Sequence, residues 1–341
     1  MKKYIFNISV TLSLILLIAC SNEDQEFEDF AGSTTYFPYQ YPVRTLVLGN
    51  DLFDNSNDNQ GKFVISTLVG GLYNSKQDYN VSFTIDNSLA QNIETSDGNS
   101  IKILPPNYYE LSETSMVTVP SGSFAGKIEV QLKDDFFNDP DAIKTSYVIP
   151  LRITETTTDS LLVGLPDVAD PNPHIASDWV ITPKDFTLFA IKYINRFDGI
   201  YLRRGLSILY DDMNNEIERI EYRSPYVVTD ELWSLSTISL TKALGKTPVR
   251  ESSGSPGDVE FELNFTGDTA VITETTNSDF SVTGSATFVE AGDAWGGISR
   301  DAIYLDYNIT GNTGKKYVVK DTIVMRDRGV GVETFTPVIV P

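Results

Sequence analysis

The side chains best able to do chemistry are few, and their scarcity narrows the possible functions. His174 is the only histidine of the 341-residue chain, and it stands between Pro173 and Ile175. A Ser-His-Asp triad or a His-ligated metal centre would depend on that one imidazole. Cys20 is the only cysteine, so no disulfide forms within the chain and the part beyond residue 20 has no thiol chemistry. Acids are plentiful: 47 Asp and Glu stand against 26 Lys and Arg. A glycosidase needs only two carboxylates, but in so acidic a chain such pairs arise by chance, and a solvated acidic surface is the expected reading. No Gly-x-Ser-x-Gly elbow, phosphate loop or dinucleotide fingerprint occurs. No catalytic residue and no cofactor are expected.

Two loops have oxygen ligands at suggestive positions. Asp54, Asn55, Ser56, Asn57, Asp58, Asn59, Gln60 and Gly61 place oxygens at alternate positions, as a calcium loop does. The stretch lacks the glycine at the sixth position and the glutamate at the twelfth that an EF-hand loop uses, so a polar hairpin loop is expected. Asp134, Asp135, Asn138, Asp139 and Asp141 form a second loop of this kind, and no metal is expected at either.

Aromatic rings matter for sugars, because a flat ring stacks on a pyranose face with little rotamer entropy to lose. Most of the 17 Tyr and 3 Trp must belong to cores. Trp295 lies in Gly292-Asp293-Ala294-Trp295-Gly296-Gly297, a stretch read as a polar flexible loop that exposes the indole. It is the first ligand-binding candidate, with a plug of the barrel end as the competing role. Trp233, after Asp230-Glu231-Leu232, is the second. Trp179 is expected to seal two domains together.

The elements that position these residues read as strands almost throughout. Tyr79, Val81, Phe83 and Ile85 alternate with polar residues, as do Tyr147, Ile149, Leu151 and Ile153. Pro150 inside the latter run predicts an edge strand or a bulge. Turn chemistry at Gly70-Gly71, Asp97-Gly98-Asn99 and Pro120-Ser121-Gly122 separates short strands, the pattern of an immunoglobulin-like β-sandwich over residues 34–166. The prolines at 166, 171 and 173 mark a linker over 167–185. Phe186–Asn195 fits either a helical face or a buried strand, and strand is preferred. Beyond it, Val259, Phe261, Leu263 and Phe265, then Phe280, Val282, Ala286 and Phe288, then Ile303, Leu305, Tyr307 and Ile309 alternate through consecutive hairpins. Such a meander removes its edges best by closing. The second domain, 186–341, is therefore expected to be a lipocalin-like antiparallel β-barrel, with a second sandwich as the competitor. The fold class is all-β.

The N-terminus gives location. Lys2 and Lys3 precede an apolar segment, Ile5 to Ile18, too short to span a bilayer, which describes a secretory signal. Leu17-Ile18-Ala19-Cys20 resembles a bacterial lipoprotein signal, which implies a signal peptide over 1–19 and lipidation of Cys20. Residues 20–33 then form an acidic tether, which resembles the surface-export signal of Bacteroidetes lipoproteins. A net charge of −21 argues against nucleic acid and against anionic lipid head groups as partners. Membrane attachment is expected through the lipid alone.

Longer phrases carry a family resemblance. Tyr36-Phe37-Pro38-Tyr39-Gln40-Tyr41-Pro42, Leu46–Asp51 and Val148-Ile149-Pro150-Leu151-Arg152-Ile153 resemble the Ig-like module at the N-terminus of many Bacteroidetes surface lipoproteins. Phe189–Gly205, Arg300–Tyr307 and Val319–Gly329 resemble the lipocalin-like module that often follows it. The resemblance implies an outer-membrane lipoprotein facing outward, without catalysis, that binds glycan beside an outer-membrane transporter. The alternative is an adhesive or structural surface protein that binds another protein. Asp159-Ser160-Leu161, Asp268-Thr269-Ala270 and Asp321-Thr322-Ile323 also resemble the O-glycosylation pattern of such proteins.

Overall fold

The computed structural model describes residues 32–275, 280–311 and 314–340. The expected signal peptide, Cys20 and nearly all of the acidic tether lie outside the described residues. Strand makes up 56% of the chain and helix 7%.

Short alternating segments build the first body. Its strands are β1 (Thr34–Tyr36), β2 (Pro42–Val47), β3 (Lys62–Gly70), β4 (Tyr79–Ile85), β5 (Ile93–Thr95), β6 (Lys102–Ile103), β7 (Tyr109–Leu111), β8 (Met116–Val119), β9 (Ala125–Leu132), β10 (Tyr147–Thr156) and β11 (Ser160–Leu161). A hairpin of β12 (Leu165–Pro166) and β13 (Trp179–Ile181) follows, and then β14 (Phe186–Ile194). One sheet runs β11-β1-β3-β9-β7; the other contains β2-β14-β10-β4-β8, with β6 against β10. Phe63, Ile65 and Val69 of β3 meet Val81, Phe83, Ile149 and Leu151 in the core between the sheets. This is the sandwich the alternation predicts.

Two readings of this half change. Pro150 lies in a central strand, since β10 pairs with β14 on one side and with β4 and β6 on the other. It is tolerated because it falls in a gap: the β4 ladder starts at Leu151 and the β6 ladder ends at Val148. A proline, which has no N–H to donate, breaks no hydrogen bond there. The strand β14, assigned by the sequence to the barrel, instead sits between β2 and β10. Its ambiguous pattern follows from burial on both faces. Leu188 and Ala190 pack on the outer face with Val148, Phe186 and Phe335, while Ile191 and Tyr193 face the sandwich core. Buried two-sided strands read as continuous apolar runs.

Asn195, fully buried, links the two bodies. Its Nδ2 donates to the Ser239 and Lys242 carbonyls at 2.7 and 2.8 Å, and its Oδ1 accepts from the Phe197 and Asp198 amides. The barrel then runs through β15 (Gly199–Tyr210), β16 (Glu216–Tyr222), β17 (Glu231–Ser239), β18 (Lys242–Pro248), β19 (Asp258–Thr266), β20 (Thr269–Glu274), β21 (Phe280–Trp295), β22 (Ile298–Gly311) and β23 (Lys316–Asp327). Pairing of β23 back onto β15 closes eight antiparallel strands. The ninth, β16, pairs with the second half of β15, whereas β17 pairs with the first half. The lumen is filled rather than hollow. Phe197 stacks on Phe265 with centroids 3.5 Å apart and meets Phe288 edge-on, inside a cluster that includes Phe261, Leu263, Ile303 and Leu305.

The chain finally returns to the sandwich. β24 (Glu333–Thr334) pairs with β2, β25 (Pro337–Ile339) pairs with β5, and Phe335 is buried between them. Arg328, at the end of the barrel, donates to the Leu48 and Asn50 carbonyls at 3.1 Å and also to the Asn195 carbonyl. Asn50 Nδ2 also donates to Glu290 Oε1 at 2.7 Å, so sandwich and barrel are fastened by side-chain contacts as well as by the returning strands.

Candidate functional site

The sequence-derived candidates have different fates. Trp233 is not a surface ring. It points into the barrel on β17, only 7% exposed, and its Nε1 donates to the Lys246 carbonyl at 2.5 Å. Gly245, on the neighbouring strand, makes room for it: a Cβ there would lie 2.9 Å from the indole. Trp295 ends β21 rather than sitting in a long loop. Gly296 and Gly297, with φ of +63° and +76°, form a two-residue hairpin turn into β22, since glycine takes two successive positive φ values with no Cβ penalty. The indole is half-buried. Its Nε1 donates to the Met325 carbonyl at 3.0 Å, and the Arg300 guanidinium lies 4.3 Å from its ring centroid. Trp179 holds its own hairpin loop, with Nε1 donating to the Asn172 carbonyl at 2.8 Å. His174 sits against Tyr41 and Phe186, 3.0 Å from the Tyr41 hydroxyl, and burial pushes its imidazole down to about 4.

Inside the barrel the structure places a polar cluster that no motif announces. Arg203 and Asp321, 2% and 3% exposed, form an ion pair at 2.9 Å. The Tyr307 hydroxyl donates to Asp321 Oδ2 at 2.8 Å, Tyr222 donates to Oδ1, and Arg203 donates to Thr247 Oγ1. Burial pushes the Tyr307 phenol well above its ordinary range, and Asp321 adds to the effect. Burial would loosen the proton on Arg203, but Tyr307 and Asp321 outweigh this and raise it. Arg250 stacks over Tyr222 at 3.9 Å and pairs with Glu231. Gly205 is required here, because a Cβ would lie 2.1 Å from Asp321 Oδ1 and 2.8 Å from the Tyr222 hydroxyl. The cluster leaves about 10 Å³ of space, the room of about one water. It orders the barrel and has no space for a substrate.

The open site lies where the sandwich meets the barrel. A groove of about 440 Å³ is walled by Asn59, Gln60 and Gly61 on one side and by Gln131, Asp134, Phe137 and Asn138 on the other, with Leu240 of the β17–β18 turn at its end. These are the two oxygen-rich loops of the sequence, brought together. Neither is built as a metal loop. Ser56–Asn59 is a single helical turn, and Asp58 is buried where it accepts from Arg44 and from the Val47 amide. In the other loop, Asp139 accepts from the Tyr108 and Tyr147 hydroxyls, and Asp141 pairs with Lys102 and Lys144. Among the described residues no three His, Cys, Asp or Glu side chains are placed to hold a metal ion.

What the groove offers instead is one flat ring and several unused polar groups. Phe137 is half-buried, fixed edge-on by Phe136 and Tyr193 at 5.3 and 5.4 Å. Gly61, at φ +67°, lets the loop approach that ring, since a Cβ would lie 3.3 Å from it. Gln131 spends its Nε2 on the Gln60 and Leu132 carbonyls at 2.8 and 2.9 Å, which leaves its side-chain oxygen without a protein partner among the described residues. The Asp134 carboxylate and the Asn138 carboxamide, both exposed, have no protein partner among the described residues. Sequence reasoning found the polar loops but missed Phe137 and Gln131. They lie in a core pattern and in a strand, and only the folded contact shows that they share a groove.

Comparison with known proteins places the chain. Residues 196–329 match a family described as a domain of unknown function (DUF5627), a span that coincides with the barrel. Residues 30–160 match a family described as a "-like, N-terminal domain". None of the curated proteins matches. Among solved structures, a crystal structure of a Bacteroides ovatus protein of unknown function is 34% identical at a TM-score of 0.83, over 92% of this chain and 100% of that one. The ywiB protein of Bacillus subtilis, at 10% identity and a TM-score of 0.21 over 39% of this chain and 95% of that one, has no bearing on the fold. The chain belongs to the family of the Bacteroides ovatus protein, with its own sandwich matching that N-terminal domain and its own barrel matching DUF5627.

Proposed function

We propose that this protein is a non-catalytic surface lipoprotein that binds carbohydrate through the groove between sandwich and barrel. In this reading it is anchored by lipid on Cys20, faces the cell exterior and serves an outer-membrane glycan-uptake system. The barrel is read as lipocalin-like in topology, and the sandwich as the Ig-like module that carries it. The observation behind the reading is the groove itself: a fixed phenyl ring beside the Asn138 carboxamide and the Asp134 carboxylate, which have no protein partner among the described residues, and the side-chain oxygen of Gln131. Planar polar side chains beside an aromatic face are what a pyranose needs, with hydroxyls bonded in plane and the apolar face of the sugar stacked. Each stack contributes on the order of 1 kcal/mol, so affinities near 10⁻⁴ M, or roughly 5.5 kcal/mol, are expected.

Two results test it. In a calorimetric screen of soluble glycans, Asn138→Ala combined with Asp134→Ala should weaken binding at least tenfold without lowering the melting temperature, because both side chains are exposed. Unchanged affinity in that variant would remove the groove from consideration. For the anchor, Cys20→Ala should release the protein from the membrane fraction, and its retention there would sink the lipoprotein reading.

A further inference from the structure

A second, smaller pocket lies on the other side of the junction, between the chain that follows β2 and the barrel end of β22 and β23. It has about 80 Å³ of space, and Arg300 and Arg328 both line it. Three arginines of this protein are buried: Arg203, Arg300 and Arg328. Arg203 has its carboxylate. The other two have none within ion-pair distance among the described residues, in a chain with nearly twice as many acids as bases. A buried guanidinium without an anion is costly. Arg328 offsets that cost through three backbone carbonyls. Arg300 does not. It is 8% exposed, and its protein contacts are one long hydrogen bond from Nη1 to the Arg326 carbonyl, 3.3 Å, and the indole of Trp295. Among the described residues its Nε has no hydrogen-bond partner, and neither has that of Arg328.

We propose that this pocket is a carboxylate site, and that Arg300 binds the carboxylate of an acidic sugar. The planar fork of a guanidinium matches a carboxylate with two parallel hydrogen bonds. The volume admits one small charged group and not a whole ring, so the group must be carried by a larger molecule that stays outside. The pocket also carries Asp51, Asp301 and Asp327. Arg326 lines it too and pairs with Asp327 at 3.5 Å, and the three acids oppose a dianion such as phosphate about twice as strongly as they oppose a carboxylate. Trp295, the sequence-derived ligand candidate, takes a positioning role: its ring backs Arg300 and its Nε1 bond to Met325 holds the ring in place. The choice of a sugar as the carrier rests on the glycan reading above; the anion site itself does not.

The test is a titration of the full chain with glucuronate and galacturonate, against glucose, galactose, acetate and inorganic phosphate, followed by calorimetry. The uronates should bind at least tenfold more tightly than the parent hexoses and keep part of that margin in high salt, because a contact to a guanidinium this buried is screened far less than an exposed pair. Arg300→Gln should abolish the margin. Because that change also removes the cation packed on Trp295, Ser299→Glu serves as a second variant: Ser299 is exposed at the pocket, and a carboxylate there should repel the uronate without a change in melting temperature. Equal affinity for uronate and hexose overturns the site, as does a margin that survives Ser299→Glu. Acetate or phosphate binding as tightly as uronate overturns the sugar assignment. If neutral glycans bind the groove while uronates show no margin, this inference alone fails; if no glycan binds anywhere, the functional reading fails with it.

Discussion

Asp321→Ala should destabilise the barrel by about 3–5 kcal/mol, the usual cost of stranding one member of a buried ion pair. Asp321 and Arg203 are nearly inaccessible and 2.9 Å apart. Removal of the carboxylate leaves a guanidinium in a low-dielectric core and also strips the Tyr307 and Tyr222 hydroxyls of their acceptor. A fall in melting temperature on the order of 10 °C follows. The double variant Arg203→Met with Asp321→Leu should be closer to the parent than Asp321→Ala alone, because no charge is then stranded. A parent-like melting temperature for Asp321→Ala would mean that water reaches the cluster freely.

The second large effect is expected at Trp233. Trp233→Ala should cost about 3–5 kcal/mol, the range for removal of a buried large aromatic, and should leave glycan affinity unchanged once the folded fraction is accounted for. Its ring is tilted against Phe261 at 6.1 Å, the Arg203 guanidinium lies 5.1 Å from it, and Gly245, against which it packs, has no side chain to fill the space it leaves. Urea denaturation measures the loss directly. Trp295→Ala, at a half-buried ring, should cost distinctly less. Equal losses at the two positions would show that the hairpin indole is as much a part of the core as Trp233.

The contrast between these two tryptophans marks how far the sequence reaches. Both were candidates because their neighbours are polar: Asp230 and Glu231 before one, Gly and Asp around the other. In the fold, Asp230 is buried against Arg204 and Glu231 reaches Arg250, so the polar neighbours of Trp233 serve interior contacts. Local polarity does not distinguish a solvated loop from a strand that faces a buried charge cluster. The same limit explains Phe137 and Gln131, whose significance depends on a loop some 70 residues away in the chain.

Alternation along the chain determined the class of the fold. Val259 to Phe265, Phe280 to Phe288 and Ile303 to Ile309 face the barrel interior as their period of two requires. The scarcity of His and Cys, the acidic balance and the turn glycines were likewise plain from the residues alone. Tertiary structure decided what depends on contacts distant in sequence. It placed Phe186–Ile194 in the sandwich, because a strand buried on both faces loses the alternation that would have assigned it. It put Arg203 and Asp321, 118 positions apart, on the adjacent strands β15 and β23 that close the barrel. It also left Arg300 buried without a counter-ion and joined two loops into one groove. None of these is a local property, since the energy of a buried charge or the shape of a cleft is set by whichever strands the closed sheet brings together.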